Sequence, residues 1–295
     1  MRHLSNLVIL LGIFIATLSG CGGGQETDRP AIAVSFEPMA RILQQIAGDD
    51  FDIITLLPAG SDPETYQPSI GTMKGLGNAE AFFTLGTDGF EKSLTSGIAT
   101  NFPTLKVVDC TEGVDKIYGT HGHSHDHHNH DVHAHAGEDF DPHLLASIKN
   151  SIQIAENITS YLATAHPEKA DDYRKKGKDL IQRMKAMDDS IANMNLNGKS
   201  FAMRHPSLSY FARDYGLNQI ALQASGKESS PLQLRRQMEQ MNDSGTKVYV
   251  MEKEHSSTGD KEMANQLGLK TIEVSLNSAE WINDLIKTAN EINRD

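Results

Sequence analysis

A cluster of histidines dominates the chemistry available to this sequence. Eight of the thirteen histidines lie within residues 121–135, where all other residues are glycine, serine, aspartate, asparagine, alanine or valine. These neighbours cannot build a packed core around the imidazoles, whose neutral nitrogens bind zinc and related cations. The sequence therefore predicts a metal-collecting loop that contains His121, His123, His125, His127, His128, His130, His133 and His135.

A stiffer ligand is predicted just after this loop. We interpret Asp141 as a helix N-cap, Pro142 as the first helical residue and His143 as part of the first turn. The positive end of a helix disfavours a protonated imidazole, so we expect His143 to be neutral and able to bind a metal at neutral pH. By itself, a histidine in a first turn is typical of a protein surface; the neighbouring tract is what favours a ligand.

The amino-terminal sequence predicts export and membrane anchoring. A basic start precedes a hydrophobic run from Leu7 to Leu18, which is too short to indicate a transmembrane helix. The next residues, up to Cys21, resemble a bacterial lipoprotein cleavage site and would make Cys21 the lipidated first residue. We predict a lipoprotein signal peptide at residues 1–20 and a flexible tether at residues 21–29. An ordinary signal peptide with an incidental cysteine is the alternative.

The charge indicates what the protein can bind, and the cysteine content indicates whether it can form a disulfide. Without residues 1–20 the chain has 26 basic and 39 acidic residues, a net charge of −13. An acidic surface argues against nucleic acid and is compatible with a cation ligand. Cys110 is the one cysteine after Cys21, so we expect no intramolecular disulfide and a structural role for Cys110.

From Pro30 onward, short apolar runs alternate with segments of helical periodicity. This alternation predicts parallel strands covered by helices. In the first half we predict strands at 31–36, 52–57, 81–85 and 105–109, and helices at 39–46, 69–78 and 142–165. The second half repeats the pattern, with strands at 200–203, 218–222, 247–251 and 270–274 and helices near 207–215, 231–241, 258–267 and 278–292.

A long amphipathic helix is predicted between the two halves. Its apolar stripe alternates spacings of four and three residues and consists of Tyr173, Gly177, Leu180, Met184, Met187, Ile191 and Met194. We therefore predict an α/β protein with two (βα)4-type lobes of parallel strands at 30–165 and 198–295, joined by a rigid helix within 166–197. Ligands of parallel sheets bind beyond the carboxyl ends of the strands, which places a cleft between the lobes.

Candidate metal ligands follow several of the predicted strands. Glu64 lies in a loop stiffened by two prolines, His205 follows the first strand of the second lobe, and Glu254 follows the third. Each residue taken alone is better explained as an ordinary loop or capping residue than as a ligand. Their common location with His143, facing one cleft, favours a metal site.

Three segments resemble the signature motifs of the ZnuA/TroA-like metal-binding proteins of ABC importers. They are residues 60–69, Asp141-Pro142-His143 and residues 205–217, and the similarity extends over essentially the whole mature chain. The resemblance implies two pseudo-symmetric lobes, a rigid connecting helix and a histidine-rich loop before the second ligand. It also implies delivery of Zn²⁺ or Mn²⁺ to a membrane permease.

The sequence departs from the family pattern at two positions. The family's first ligand is usually a histidine, where this chain has Glu64, and its frequent final aspartate faces residues 274–277, which contain no carboxylate. We expect Glu64, His143 and His205 to hold the cation, with water or Glu254 in the fourth position. His255 is interpreted as a neighbour of the site without an assigned role.

The predicted function is capture of Zn²⁺ in the cleft and delivery to an ABC permease. We expect a monomeric lipoprotein, attached to the membrane through Cys21 and located in the periplasm or at the cell surface. Mn²⁺ or Fe²⁺ is the alternative cargo, because mixed nitrogen and oxygen ligands accommodate these metals too. A zinc hydrolase is a competing class, but the chain has no His-Glu-x-x-His or Gly-x-Ser-x-Gly motif, and we predict no enzyme. A third class is an adhesin or passive metal buffer that relies on the histidine tract.

Overall fold

The computed structural model describes residues 29–63, 65–87, 90–119, 140–224, 227–256 and 258–294. These residues form two α/β lobes, each built on a four-stranded parallel sheet, as the sequence predicts. The signal segment, most of the tether, Cys21, Glu64 and the histidine tract lie outside the described residues, so the expectations for them stay predictions. None of the helices in the described ranges is long and apolar enough to cross a membrane.

The first lobe contains the strand order β2-β1-β3-β4. Val34, at the end of β1, pairs with Thr55 of β2 and Phe83 of β3, so the strands finish along one edge of the sheet. Its elements are β1 (Ala31–Val34), α1 (Glu37–Ala47), β2 (Asp52–Thr55), α2 (Ile70–Gly77), β3 (Ala79–Thr84), α3 (Phe90–Asn101) and β4 (Lys106–Asp109).

Two helices, α4 (Ile148–Ala165) and α5 (Ala170–Ala192), precede the second lobe, whose strand order is β10-β9-β5-β6. Counted from the start of each lobe, this is the same arrangement as in the first sheet. The second lobe consists of β5 (Ser200–Met203), α6 (Ser209–Tyr215), β6 (Asn218–Ala221), β7 (Gln223–Ala224), β8 (Lys227–Glu228), α7 (Pro231–Asp243), β9 (Val248–Glu252), α8 (Thr258–Gln266), β10 (Lys270–Val274) and α9 (Trp281–Arg294).

One helix and one pair of short strands were not identified from the sequence. Helix α3 has a narrow buried face made of Phe90, Leu94 and Ile98, spaced four residues apart, within an otherwise polar segment. Strands β7 and β8 form a short antiparallel hairpin between β6 and α7. Both have too few apolar positions to produce a clear periodic signal.

The prediction for the helix after His143 was wrong about its start. The α-helix begins at Ile148, because the Ser147 side chain caps it by accepting a hydrogen bond from the Asn150 N–H at 3.0 Å. A short 3-10 turn, Leu144–Ala146, separates it from His143. Asp141 is therefore not the helix cap, and its carboxylate is available to the His143 ring.

The linking helix is shorter than the predicted stretch of residues 166–197. A 3-10 turn at Pro167–Lys169 precedes it, and the regular helix α5 ends at Ala192. Beyond that point the chain continues through hydrogen-bonded turns that bury Leu196. The proline at the start and the burial of this leucine at the end set the two limits.

The hydrophobic core runs continuously between the lobes. One cluster contains residues from β1 and β3, from α4 and α5, and from one face of the second sheet, including Phe201 and Val250. A smaller cluster that contains Ile220 and Tyr249 covers the other face of that sheet. Cys110 is buried at the end of β4, and its burial raises the pKa of the thiol. Because packed side chains connect the lobes, large relative movements would break core contacts.

Candidate metal centre

His143 is oriented by the carboxylate two residues before it. Asp141 Oδ1 accepts a hydrogen bond from the His143 backbone N–H at 2.9 Å and lies 2.8 Å from the ring Nδ1. Burial would raise the pKa of Asp141, but the hydrogen bonds from His143 and the charge it can carry lower it overall. The ionised carboxylate favours a proton on Nδ1 and leaves the lone pair of Nε2 for a ligand, as is common for metal-binding histidines.

His205 meets His143 from the opposite lobe. The Nε2 atoms of the two rings are 3.1 Å apart, and the ring centroids are 5.0 Å apart. Two nitrogen ligands at about 2.0–2.1 Å from a tetrahedral zinc ion would be roughly 3.3 Å apart. Burial, together with the charges that the neighbouring His143 and His255 can carry, lowers the pKa of His205 to about 3. His205 is therefore neutral at neutral pH and able to bind a cation.

The second-lobe motif also holds the first-lobe ligand in place. The Tyr210 hydroxyl donates to the Asp141 carbonyl at 2.8 Å and accepts a hydrogen bond from the Ile117 N–H at 3.1 Å. Ser147, the cap of α4, donates its hydroxyl hydrogen to Asp214 Oδ2 at 2.5 Å. The segment 205–217 thus supplies a histidine and, at the same time, fixes the backbone that carries His143.

The residues that follow β9 include His255, which packs beside His205. The His255 ring lies 4.9 Å from the His205 ring, centroid to centroid, with a tilt of 35°. Glu254, the predicted fourth ligand, accepts hydrogen bonds through Oε1 from the Ser275 hydroxyl and, at 3.3 Å, from the Asn277 N–H. Burial raises the pKa of Glu252, whereas the charges that His143 and His255 can carry oppose this rise. The residue packed against His205 is therefore His255, and Glu254 is directed to the loop after β10.

On this side of the cleft, the first lobe contributes Asp62, which lies beside His255. Its Oδ1 lies 3.6 Å from His255 Nδ1, and its Oδ2 accepts a hydrogen bond from the Thr65 hydroxyl at 3.0 Å. Glu64, the predicted carboxylate ligand in the same loop, lies outside the described residues. In the part of the chain that the structure describes, no three His, Cys, Asp or Glu side chains already surround one point as metal ligands would.

The sequence did not reveal the contacts that Asp141, Asp62 and His255 make at this site. His255 follows a strand of the second lobe, so the rule that identified His205 applies to His255 as well. Asp141 is of a residue type that caps helices, and no feature of the sequence distinguishes Asp62 from other loop carboxylates. A carboxylate two residues before a histidine was the signal that could have identified the Asp141–His143 pair.

Relatives of this chain are named for zinc binding. A zinc-binding protein AdcA of Streptococcus pyogenes serotype M3 is 29% identical over 262 residues, which cover 83% of this chain and 50% of the relative. A zinc-binding lipoprotein AdcA of Streptococcus pneumoniae serotype 4 is 24% identical over 234 residues, which cover 76% of this chain and 45% of the relative. The chain therefore spans about half the length of these curated relatives.

Solved structures share the fold. A crystal structure of ZnuA superposes with a TM-score of 0.78 at 24% identity and covers 90% of this chain and 99% of its own. The solute-binding protein FpvC of Pseudomonas aeruginosa, in complex with Mn²⁺, has a TM-score of 0.72 at 23% identity and covers 90% of this chain and 98% of its own.

A family model described as zinc-uptake complex component A, periplasmic, matches residues 32–288. The match includes both sheets, the linking helix, His143 and His205. The chain belongs to this ZnuA family.

Proposed function

We propose that this chain captures Zn²⁺ between its lobes and delivers it to an ABC permease. The observation that carries this proposal is the pair of Nε2 atoms from opposite lobes, 3.1 Å apart. Both nitrogens belong to rings suited to metal binding, one oriented by a carboxylate and the other kept neutral by burial. The family and the zinc-binding relatives support zinc as the cargo.

Glu64, His143 and His205 are the proposed ligands, and the sequence offers Glu254 or water for the fourth position. A ligand set from both lobes would tie them together, and the continuous core would restrict metal release to a small relative shift. We propose that the permease recognises the metal-bound arrangement, which becomes more populated because the metal binds it more tightly.

The proposed location is outside the cytoplasm, on a lipid anchor at Cys21, with a monomeric chain. The family description supports the location outside the cytoplasm, and the lipoprotein relative supports the lipid anchor. A zinc hydrolase would also use three ligands and a water molecule. Membership in a family of uptake components favours binding and transfer over catalysis.

A competition titration with a metal chelator tests the site. We expect His143→Ala or His205→Ala to weaken Zn²⁺ binding at the tightest site on the order of 100-fold or more, since these changes remove a ligand and not only its support. His166→Gln is the matched control, because His166 pairs with Glu80 at 2.9 Å instead of facing the cleft. In cells, zinc uptake should fall with His205→Ala and be retained with His166→Gln.

The alternatives predict different results in the same titration. Deletion of residues 121–135 should remove weak sites and leave the tightest site within roughly tenfold of its original affinity, because loose imidazoles contribute redundant binding. If this deletion abolishes tight binding while the two cleft variants are silent, the chain is a metal buffer. A preference for Mn²⁺ over Zn²⁺ would replace zinc as the cargo within the same transport class.

A further inference from the structure

We propose that His255 is a third imidazole ligand of the captured cation and that Asp62 positions it from the opposite lobe. His255 can act in this way only if the cation binds between His143 and His205, so the inference rests on the proposed function. It assigns the fourth coordination position to a residue for which neither the motifs nor the family resemblance provides a role.

The first observation is an unpartnered nitrogen. His255 Nε2 is buried and has no hydrogen-bond partner, although the side chain is 12% exposed as a whole. Its distance to Glu252 Oε1 is 3.9 Å, which is too long for a hydrogen bond. Buried polar atoms are nearly always paired, because an unpaired one costs free energy. A cation bound to this lone pair would remove that cost.

The second observation is the similarity between His255 and His143. In both residues Nδ1 faces a carboxylate oxygen, at 2.8 Å from Asp141 for His143 and at 3.6 Å from Asp62 for His255. Nε2 of His143 contacts Nε2 of His205, whereas Nε2 of His255 has no hydrogen-bond partner. A carboxylate behind one ring nitrogen is the usual support for a histidine that binds metal through the other.

The third observation concerns position. The His205 ring contacts both of the other rings, with its centroid 5.0 Å from that of His143 and 4.9 Å from that of His255. The His255 and His205 rings lie side by side, so binding one ion requires the His255 ring to turn toward it. Glu254 also has a buried, unpartnered oxygen, Oε2, but its Oε1 is held by the loop after β10. The His255 ring lies directly beside His205, which makes His255 the better candidate for the fourth position.

The two carboxylates differ in a way that matters for release. Asp141 is in the same lobe as its histidine, whereas Asp62 and His255 come from different lobes. Their separation of 3.6 Å exceeds a hydrogen bond, and a small closing movement would shorten it. We infer that cation binding by His255 is coupled to the contact between the lobes.

Nuclear magnetic resonance of the histidine rings tests this proposal in the full chain, labelled with ¹⁵N-histidine and held in detergent. At or below one equivalent of Zn²⁺, Nε2 of His255 should acquire the chemical shift of a metal-bound nitrogen while Nδ1 stays protonated. Loss of one set of signals in His255→Gln assigns the resonances. If this variant does not fold, triple-resonance assignment of the wild-type chain identifies the His255 signals instead.

The same variants provide an affinity measurement. We expect His255→Gln to weaken tight Zn²⁺ binding on the order of 100-fold, and His166→Gln to leave it unchanged. If His205→Gln weakens binding and the His255 signals do not respond to zinc, His255 is not a ligand and the proposed function stands. If neither His205 nor His255 responds, both the inference and the proposed function are wrong.

Discussion

The two lobes have the same strand order but place their proposed metal-binding groups after different strands. In the first lobe, the loops that follow the edge strands β2 and β4 carry Asp62 and His143. In the second lobe, His205 and His255 follow the central strands β5 and β9. One lobe therefore contributes side chains from the ends of its edge strands, and the other lobe contributes them from the ends of its central strands. One topology used twice yields a site whose halves are complementary instead of identical.

The remaining strand ends are used for structure. In the first lobe, the ends of the central strands are held by the carboxylate of Glu91, which is fully buried. In the second lobe, the loop after the edge strand β10 contributes Asn277, which bonds across to the first lobe. Substitutions at these strand ends should therefore affect stability or the contact between the lobes. Substitutions in the proposed metal site should affect metal affinity.

The largest effect is expected for Glu91→Ala. Glu91 accepts hydrogen bonds from the hydroxyls of Ser35, Thr84 and Thr87 and from the backbone N–H groups of Leu85 and Thr87. Removing the carboxylate leaves several buried donors without an acceptor, so the free energy of unfolding should fall by at least about 3 kcal/mol. Chemical denaturation measures this change.

Glu156→Ala is the control for this prediction, because Glu156 is an exposed carboxylate on α4. Its effect should stay within about 0.5 kcal/mol. Equal stabilities of the two variants would show that the buried network does not stabilise the centre of the first lobe.

The next largest effect is expected where the linking helix meets the first lobe. A Cβ atom at Gly177 of α5 would lie 2.3 Å from the Thr159 hydroxyl oxygen of α4. Gly177→Ala should therefore destabilise the protein by about 1–3 kcal/mol through overpacking. Thr159→Ala should relieve the clash in the double variant, and thermal unfolding of the four proteins measures the coupling. Additive effects would mean that these helices can separate at little cost.

Removal of Asp141 and removal of Asp62 should weaken Zn²⁺ binding by different amounts. Asp141→Ala should weaken Zn²⁺ binding by about 10- to 100-fold, because it removes the support of His143. Asp62→Ala should have a smaller effect, because its distance to His255 is 3.6 Å instead of the 2.8 Å between Asp141 and His143. Competition titration of both variants ranks them. The reverse order would indicate that contact across the lobes matters more than support within a lobe.

The smallest effect is expected for Asn277→Ala. The Asn277 side chain accepts a hydrogen bond from the Glu37 N–H at 3.1 Å and donates one to the Pro58 carbonyl at 3.0 Å. Loss of both should cost about 1–2 kcal/mol and speed hydrogen exchange at the Glu37 amide. Asn290→Ala is the control, since the exposed Asn290 side chain bonds within its own helix. Unchanged exchange at Glu37 would contradict a role for Asn277 in joining the lobes.

Much of the fold was predictable because its signals are local. Fully buried strands such as β5 and β9 appear as short apolar runs, and the stripe of the linking helix recurs every three or four residues. Helix α3 and the β7–β8 hairpin escaped prediction because few of their positions are apolar. The helix after His143 was misplaced because Asp141 and Ser147 are both residue types that cap helices, and sequence alone did not decide between them.

By itself, the sequence determined the class of chemistry, the two-lobed α/β architecture and the positions of His143 and His205 after the elements that carry them. Only the tertiary structure decided which side chains meet: the Nε2 contact joins residues 62 positions apart in the chain, and Asp62 faces His255 from the other lobe. A side chain's type and local context limit what it can bind. Its actual partner depends on how distant segments pack, because a hydrogen bond or a metal bond forms only within a few tenths of an ångström of its preferred length.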